Sequence, residues 1–410
     1  MLKKNFIDNI RRGLGRAYLE LESAENKEEY RETLLYACLN NCSYDFVTEG
    51  SKGAYLFDLI CLFDDTAYFK QNIVEFLQNK LPKRNLFAQL LDILKCYYYQ
   101  GDVEIKRFLN DYYKYFIENG KWTKNKIVCY EYLCIITYQI FGLKKVLHIL
   151  KDIEKLKINK NDIGWFLFLI SFKYKKNPTI QSFLPEEDNA PKTHNHTFEE
   201  FLKSARENRF NCSFAHWAPD IEYEKCINYL KQTKNEDDII LILDAFQYEN
   251  TPKVIPEELL FSLLNVHSKD VDIEIYRTLS YMKSKKVENL SLTLLKDKEN
   301  VISAMHMLMN NYKNEYKKLL VDAYKKIKFS FYKYTMLVSY TIDFMYRTKK
   351  DLPDEILFYT YEKSYDAFDR EYIVDCIKKR KLLTREILNE LKYDSNYEIR
   401  KKATKWLNSI

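Results

Sequence analysis

The residues whose types and spacing could do chemistry lie in a few short stretches. Gly13-Leu14-Gly15-Arg16 has the close glycines of a phosphate-binding turn. It lacks the third glycine and the preceding strand of a dinucleotide-binding loop, so that chemistry is not supported. Gly50-Ser51-Lys52-Gly53 has the spacing of a loop that clamps a nucleic-acid backbone. Such a loop needs a small sheet around it, and residues 55–63 read as a helix. A turn between two helices is therefore expected there. The alternative is an anion contact made by Lys52 and free amides at the helix start. No Gly-Lys-Ser/Thr loop occurs anywhere in the chain.

His194 and His196 alternate in a polar stretch, with His216 further on. A nearby carboxylate could complete a metal set, but no helical pairing fixes the geometry, and a solvated loop is the expectation. The nine cysteines, at 38, 42, 61, 96, 129, 134, 212, 226 and 376, form no Cys-x-x-Cys pair. Most fall in apolar stripes, which reads as reduced thiols packed as small hydrophobes. Nucleophilic catalysis has no support either, since no Gly-x-Ser-x-Gly elbow is present. No catalytic residue, no cofactor and no metal ligand is nominated.

Two stretches are better suited to binding. In Asn211 to Asp220, His216 and Trp217 precede a Pro219-Asp220 helix entry, with Arg206 and Arg209 just upstream. A Trp, a His and two Arg at the mouth of a groove would make anchor contacts with a partner. The second stretch is basic. Residues 311–350 carry 10 basic and 3 acidic side chains, against a net charge of +6 for the whole chain. Lys317, Lys318, Lys325 and Lys326 alternate there with Tyr312, Tyr316, Tyr324 and Tyr332. Lysines could neutralise phosphates while rings stack on bases. The plainer expectation is a solvated lysine face whose aromatic neighbours are core. Residues 351–375, with 8 acidic and 2 basic side chains, dilute the patch.

The elements that must position these residues are helices. All eight glycines lie at or before Gly164, so residues 165–410 contain none. Without glycine the positive-φ corners of tight hairpins are hard to build. Apolar residues instead recur with helical spacing: Leu56, Leu59, Ile60 and Phe63; Val271, Ile275, Leu279 and Met282; Ile399, Ala403, Trp406 and Leu407. Roughly 20 helices joined by short polar turns are expected. Asp237 to Leu243 has the composition of a buried strand, but its acidic entry and its continuation into Asp244-Ala245-Phe246 predict a helix. With 34 Tyr and 25 Phe the chain has ample material for a core. No apolar run reaches spanning length, and none at the N-terminus has the length of a signal peptide. With the cysteine usage, this predicts a cytoplasmic protein with no membrane partner. The abundance of Lys, Asn and Tyr suggests an AT-rich bacterial genome.

Three prolines and an acidic triplet between residues 177 and 197 mark a break. The expected division is an N-terminal helical half, 1–176, a proline-containing loop and connector, 177–220, and C-terminal helical repeats, 221–410. The run Asp394-Ser-Asn-Tyr-Glu-Ile399-Arg400-Lys-Lys-Ala403 resembles the second helix of a HEAT repeat. Weaker echoes start at Asp270, Asp297 and Asp369, at spacings shorter than the standard unit. The resemblance implies an all-α fold, a superhelical stack of antiparallel helix pairs of the HEAT or armadillo kind. It further implies a non-catalytic scaffold that recognises a protein partner on a broad concave surface. The alternative is nucleic-acid binding, resembling the HEAT-like alkylated-base DNA glycosylases. Trp217, Asp220 and Arg209 would be the reading trio, though they match no motif of that family residue by residue. The oligomeric state is left open.

Overall fold

Helix starts are set by short polar side chains that accept hydrogen bonds from otherwise free amides. Asp65, Asp102, Thr123, Asn235, Ser284, Asp366, Thr384 and Asn396 all do so. Between caps, the apolar spacing selects the face that is buried. In a computed structural model, residues 3–43, 50–184, 197–208, 214, 218–247, 253–264, 266, 268–297, 300–327, 331–348 and 352–409 are described. Among them all regular structure is helical, with 24 α-helices and no strand.

Contacts divide the chain into two units, Met1–Asp188 with Ser364–Ile410, and Asn189–Lys363. In the first unit the helices are α1 (Lys4–Arg12), α2 (Arg16–Glu22), α3 (Glu28–Cys38), α4 (Gly53–Ile60), α5 (Thr66–Asn79), α6 (Arg84–Tyr99), α7 (Val103–Glu118), α8 (Lys124–Phe141), α9 (Leu143–Leu156), α10 (Gly164–Lys173) and α11 (Pro178–Phe183). The second unit contains α12 (Phe198–Asn208), α13 (Asp220–Gln232), α14 (Glu236–Ala245), α15 (Glu257–Leu263), α16 (Lys269–Leu279), α17 (Lys285–Leu294), α18 (Val301–Asn311), α19 (Lys317–Lys326), α20 (Phe331–Thr348) and α21 (Asp354–Lys363). The chain then returns to the first unit as α22 (Ala367–Lys379), α23 (Arg385–Leu391) and α24 (Tyr397–Leu407).

Within the first unit α4, α6 and α8 pack in succession, and α7 and α9 flank α8. Helix α8 is buried on most sides, through Cys129, Tyr130, Leu133, Cys134, Ile136 and Thr137, which accounts for its long apolar run. In the second unit the next-but-one helices α12, α14, α16, α18 and α20 pack in succession, while α13, α15 and α17 lean against α12, α16 and α18. The stretch read as helical at Asp237 to Leu243 lies in α14.

The first unit takes in both ends of the chain, and the contact between them is specific. The turn between α1 and α2 receives the turn between α23 and α24. Gly13 sits at φ +71°, and a Cβ there would lie 1.9 Å from Ser395 Oγ. At Gly15 a Cβ would lie 1.7 Å from the Glu390 carbonyl oxygen. Only glycine permits this approach. Across it, Ser395 N donates to Gly13 O at 2.8 Å, Arg16 Nε donates to Glu390 Oε1 at 3.0 Å, and Tyr18 stacks on Tyr393 at 3.7 Å. Arg370 of α22 and Asp394 are both wholly buried. Nε and Nη2 of Arg370 donate to the two carboxylate oxygens at 2.9 and 2.8 Å, and Nη2 also reaches Gly13 O at 3.4 Å. The first glycine pair is therefore a packing seam between chain ends.

Replacing Gly13 or Gly15 by Ala should cost about 2 kcal/mol or more. Gly164→Ala, at a position with open space around the Cβ, should cost nothing measurable. Arg370→Met should cost about 3–5 kcal/mol by leaving a buried carboxylate unpaired, and R370M/D394L should recover most of that loss. Urea unfolding followed by far-UV circular dichroism measures all of these.

Candidate functional site

Helix α14 starts with Glu236, Asp237 and Asp238 in its first turn, where carboxylates complement the helix dipole. Asn235 accepts the amides of Asp237 and Asp238. The helical twist then sends Asp238 inward and Asp237, Leu241 and Asp244 outward. Helix α12 supplies Arg206, whose Nε and Nη2 donate to Asp238 Oδ1 and Oδ2 at 2.8 and 2.6 Å. Tyr229 OH donates to Asp238 Oδ2 at 2.6 Å. The Arg206 hydrogen bonds, against the opposing effect of burial, hold the Asp238 carboxyl below the usual carboxylate range, with Tyr229 adding to them. Arg206 is correspondingly held above its ordinary range by Asp238.

The polar line continues onto α16 and beyond. Glu274 accepts from Gln247 Nε2 at 2.6 Å and from Arg277 Nη1 at 2.8 Å. Arg277 Nε donates to Tyr340 OH of α20 at 3.2 Å. The Tyr340 ring stacks on His306 of α18, 3.8 Å apart and 6° from parallel. His306 Nε2 lies 3.2 Å from Ser280 Oγ and 3.7 Å from Asp343. One row of helices thus carries one ladder of polar contacts.

Against the upper rungs lies a groove of about 520 Å³, lined by Arg206, Asp237, Asp238, Ile240, Leu241, Asp244 and Glu274 among others. Four carboxylates face one guanidinium across an aliphatic floor. Such a surface attracts cations and apolar groups together. Among the described residues no three His, Cys, Asp or Glu side chains stand close enough to hold a metal ion.

Of the residues nominated from sequence, the structure places Arg206 in this groove. Its guanidinium is already bound to Asp238, so its part is to neutralise one carboxylate and to hold α12 on α14. Arg209, His216 and Trp217 lie outside the described residues, as do His194 and His196. Asp220, which would have shared a reading site with Trp217 and Arg209, is exposed at the start of α13 and pairs with Lys253 at 2.8 Å. Lys317, Lys318, Lys325 and Lys326 lie on α19 and do not line the groove. Lys317 is half-buried and the other three are exposed. The rings between them point inward, with Tyr312, Tyr316 and Tyr324 all buried. They offer no stacking platform. Lys52 is likewise no anion site, because its ammonium is buried and donates to the carbonyls of Arg11 and, at 3.2 Å, Cys42.

A second cluster was missed in the sequence. Tyr113 OH donates to Asp152 Oδ2 at 2.8 Å and lies 3.0 Å from Tyr130 OH. His148 stands 3.4 Å from Asp152, and the Lys145 ammonium is 3.6 Å above the Tyr113 ring. Burial pushes both phenols far up and pulls the Lys145 amine down, against the pull of Asp152. The phenols stay protonated and act as hydrogen-bond joints between α7, α8 and α9. The spacing of four between His148 and Asp152 on one helix was the available signal.

Asp238 ionises more readily folded than unfolded. Its stabilisation is therefore complete above the ordinary carboxylate value of 3.8 and lost as pH falls below it. Arg206→Met leaves that carboxylate with Tyr229, and should lower stability at pH 7 by about 1–3 kcal/mol. The difference from the unaltered protein should shrink as pH drops through 4 toward 3. Urea unfolding at stepped pH reads both effects, and a difference that is constant with pH would contradict them.

In comparisons with known proteins the chain matches no family model, no curated protein and no solved structure.

Proposed function

We propose that this chain is a non-catalytic scaffold, an α-solenoid of the HEAT or armadillo kind, that recognises a protein partner through the groove on α12, α14 and α16. The partner segment is basic and carries aliphatic side chains. What supports the solenoid reading is the succession of next-but-one helices in the second unit, each backed by a neighbour in sequence. The observation that carries the binding reading is the groove lining, in which carboxylates outnumber the single Arg206 guanidinium around Ile240 and Leu241. Recognition spread over such a surface needs no reactive group. An acidic groove repels nucleic acid, and Tyr312, Tyr316 and Tyr324, which would stack on bases, are buried.

The test is fluorescence anisotropy with a labelled peptide of alternating Lys and Leu, beside a Glu/Leu peptide and a mixed-sequence DNA duplex. The Lys/Leu peptide should bind, and Asp237→Lys with Asp244→Lys should weaken it at least tenfold, as should raising the salt from 50 to 300 mM. Equal binding of both peptides, or binding indifferent to the two substitutions, overturns the assignment. Duplex binding that disappears with K318E/K325E/K326E would replace it with nucleic-acid recognition on α19.

A further inference from the structure

Helix α10 has apolar residues on more than one side. Its inward face buries Phe166, Leu167 and Ile170. Its outward face carries Trp165, Phe168 and Phe172, which are 52%, 56% and 80% exposed. The spacing of three and four places them on one stripe, and the Trp165 and Phe168 rings stack at 5.3 Å. Single exposed aromatics are ordinary, whereas three in line on a ten-residue helix are not. The ridge is held firmly from below. Glu131 of α8, buried, accepts the amides of Trp165 and Phe166 at 2.8 and 3.2 Å and so caps the start of α10.

Charge tells what the ridge meets. Helix α10 contains no acidic residue, and Lys173, Lys175 and Lys176 lie exposed at its end. No ion pair to these three lysines is found among the described residues. A second copy docking ridge to ridge would offer these lysines no carboxylate on the facing α10. A narrow protein cleft would have to take protruding rings rather than offer them. An anionic bilayer meets both features at once. Trp and Phe settle at the headgroup boundary, and lysine stems reach back to the phosphates. No helix among the described residues is long and apolar enough to cross a membrane, so the contact is one of lying on the surface.

We propose that the α10 ridge of Trp165, Phe168 and Phe172, with Lys173, Lys175 and Lys176, docks this protein on an anionic lipid bilayer. Neutral lipid lacks the charge term and binds weakly. Added salt weakens the attachment, and the aromatic contribution persists.

The full chain is floated with vesicles of phosphatidylcholine containing 30% phosphatidylglycerol, and with phosphatidylcholine alone. Binding to the anionic vesicles should be at least tenfold tighter. F168S/F172S and K173E/K175E/K176E should each weaken it at least tenfold, with far-UV circular dichroism unchanged because all five residues are exposed. Tryptophan emission should shift to the blue and be quenched by brominated lipid, and Trp165→Phe should abolish most of that quenching. D237K/D244K, in the other unit, should leave vesicle binding unchanged, which separates this test from that of the groove. Equal binding to both vesicle types, no binding to either, or quenching that survives in W165F overturns the proposal. So does self-association in sedimentation velocity that F168S/F172S abolishes, since the ridge would then be occupied by a second copy.

Discussion

The Arg370–Asp394 pair is the interaction on which the first unit depends. It is wholly buried, and burial of two charges is favourable only where geometry and further hydrogen bonds satisfy them. Here the guanidinium spends its remaining donors on the carbonyls of Ser364 and Gly13. One side chain thereby joins the entry of α22, the turn before α24 and the turn after α1. With Arg400 bonded to Asp58 at 2.6 Å, the last helix of the chain is fastened to the fourth. The seam thus joins the two stretches of chain that make up the first unit, 1–188 and 364–410.

The same logic of early commitment governs the groove. A carboxylate that faces a helix neighbour is consumed in holding that neighbour, whereas one on the open side points to solvent. Asp238 belongs to the first kind, Asp237 to the second, although they are adjacent in sequence. Arg277 shows the intermediate case, binding Glu274 on its own helix and Tyr340 two helices further along the row. The ladder aligns α14, α16, α18 and α20, and the groove is what the aligned helices leave uncovered.

Much of the fold was legible. Absence of glycine after residue 164, polar caps and apolar spacing pointed to helices, and Asp237 to Leu243 was read as helical despite its strand-like composition. The aromatic neighbours of the α19 lysines were read as core, and Tyr312, Tyr316 and Tyr324 are buried. The site was less legible. Arg206 was singled out as an anchor for a partner, and its bond to Asp238, which crosses 32 residues, carried no local signal. Ile240, Leu241 and Glu274 carried no signal at all, since nothing local distinguishes an aliphatic floor from a buried stripe. Within the run that resembles a HEAT helix, Asn396 caps α24 and Asp394 turns back to Arg370, a bond across 24 residues.

By itself the sequence determined the secondary structure class and the lack of any familiar phosphate loop or nucleophile motif. These follow from short-range physics, the backbone freedom of glycine and the hydrogen bonds of side chains a few residues away. Only the tertiary structure decided that Gly13 and Gly15 receive the far end of the chain, that Lys52 caps carbonyls, and that α10 keeps three aromatic rings uncovered. Each of those outcomes turns on which surface arrives from a distant part of the chain, and no local spacing carries that information.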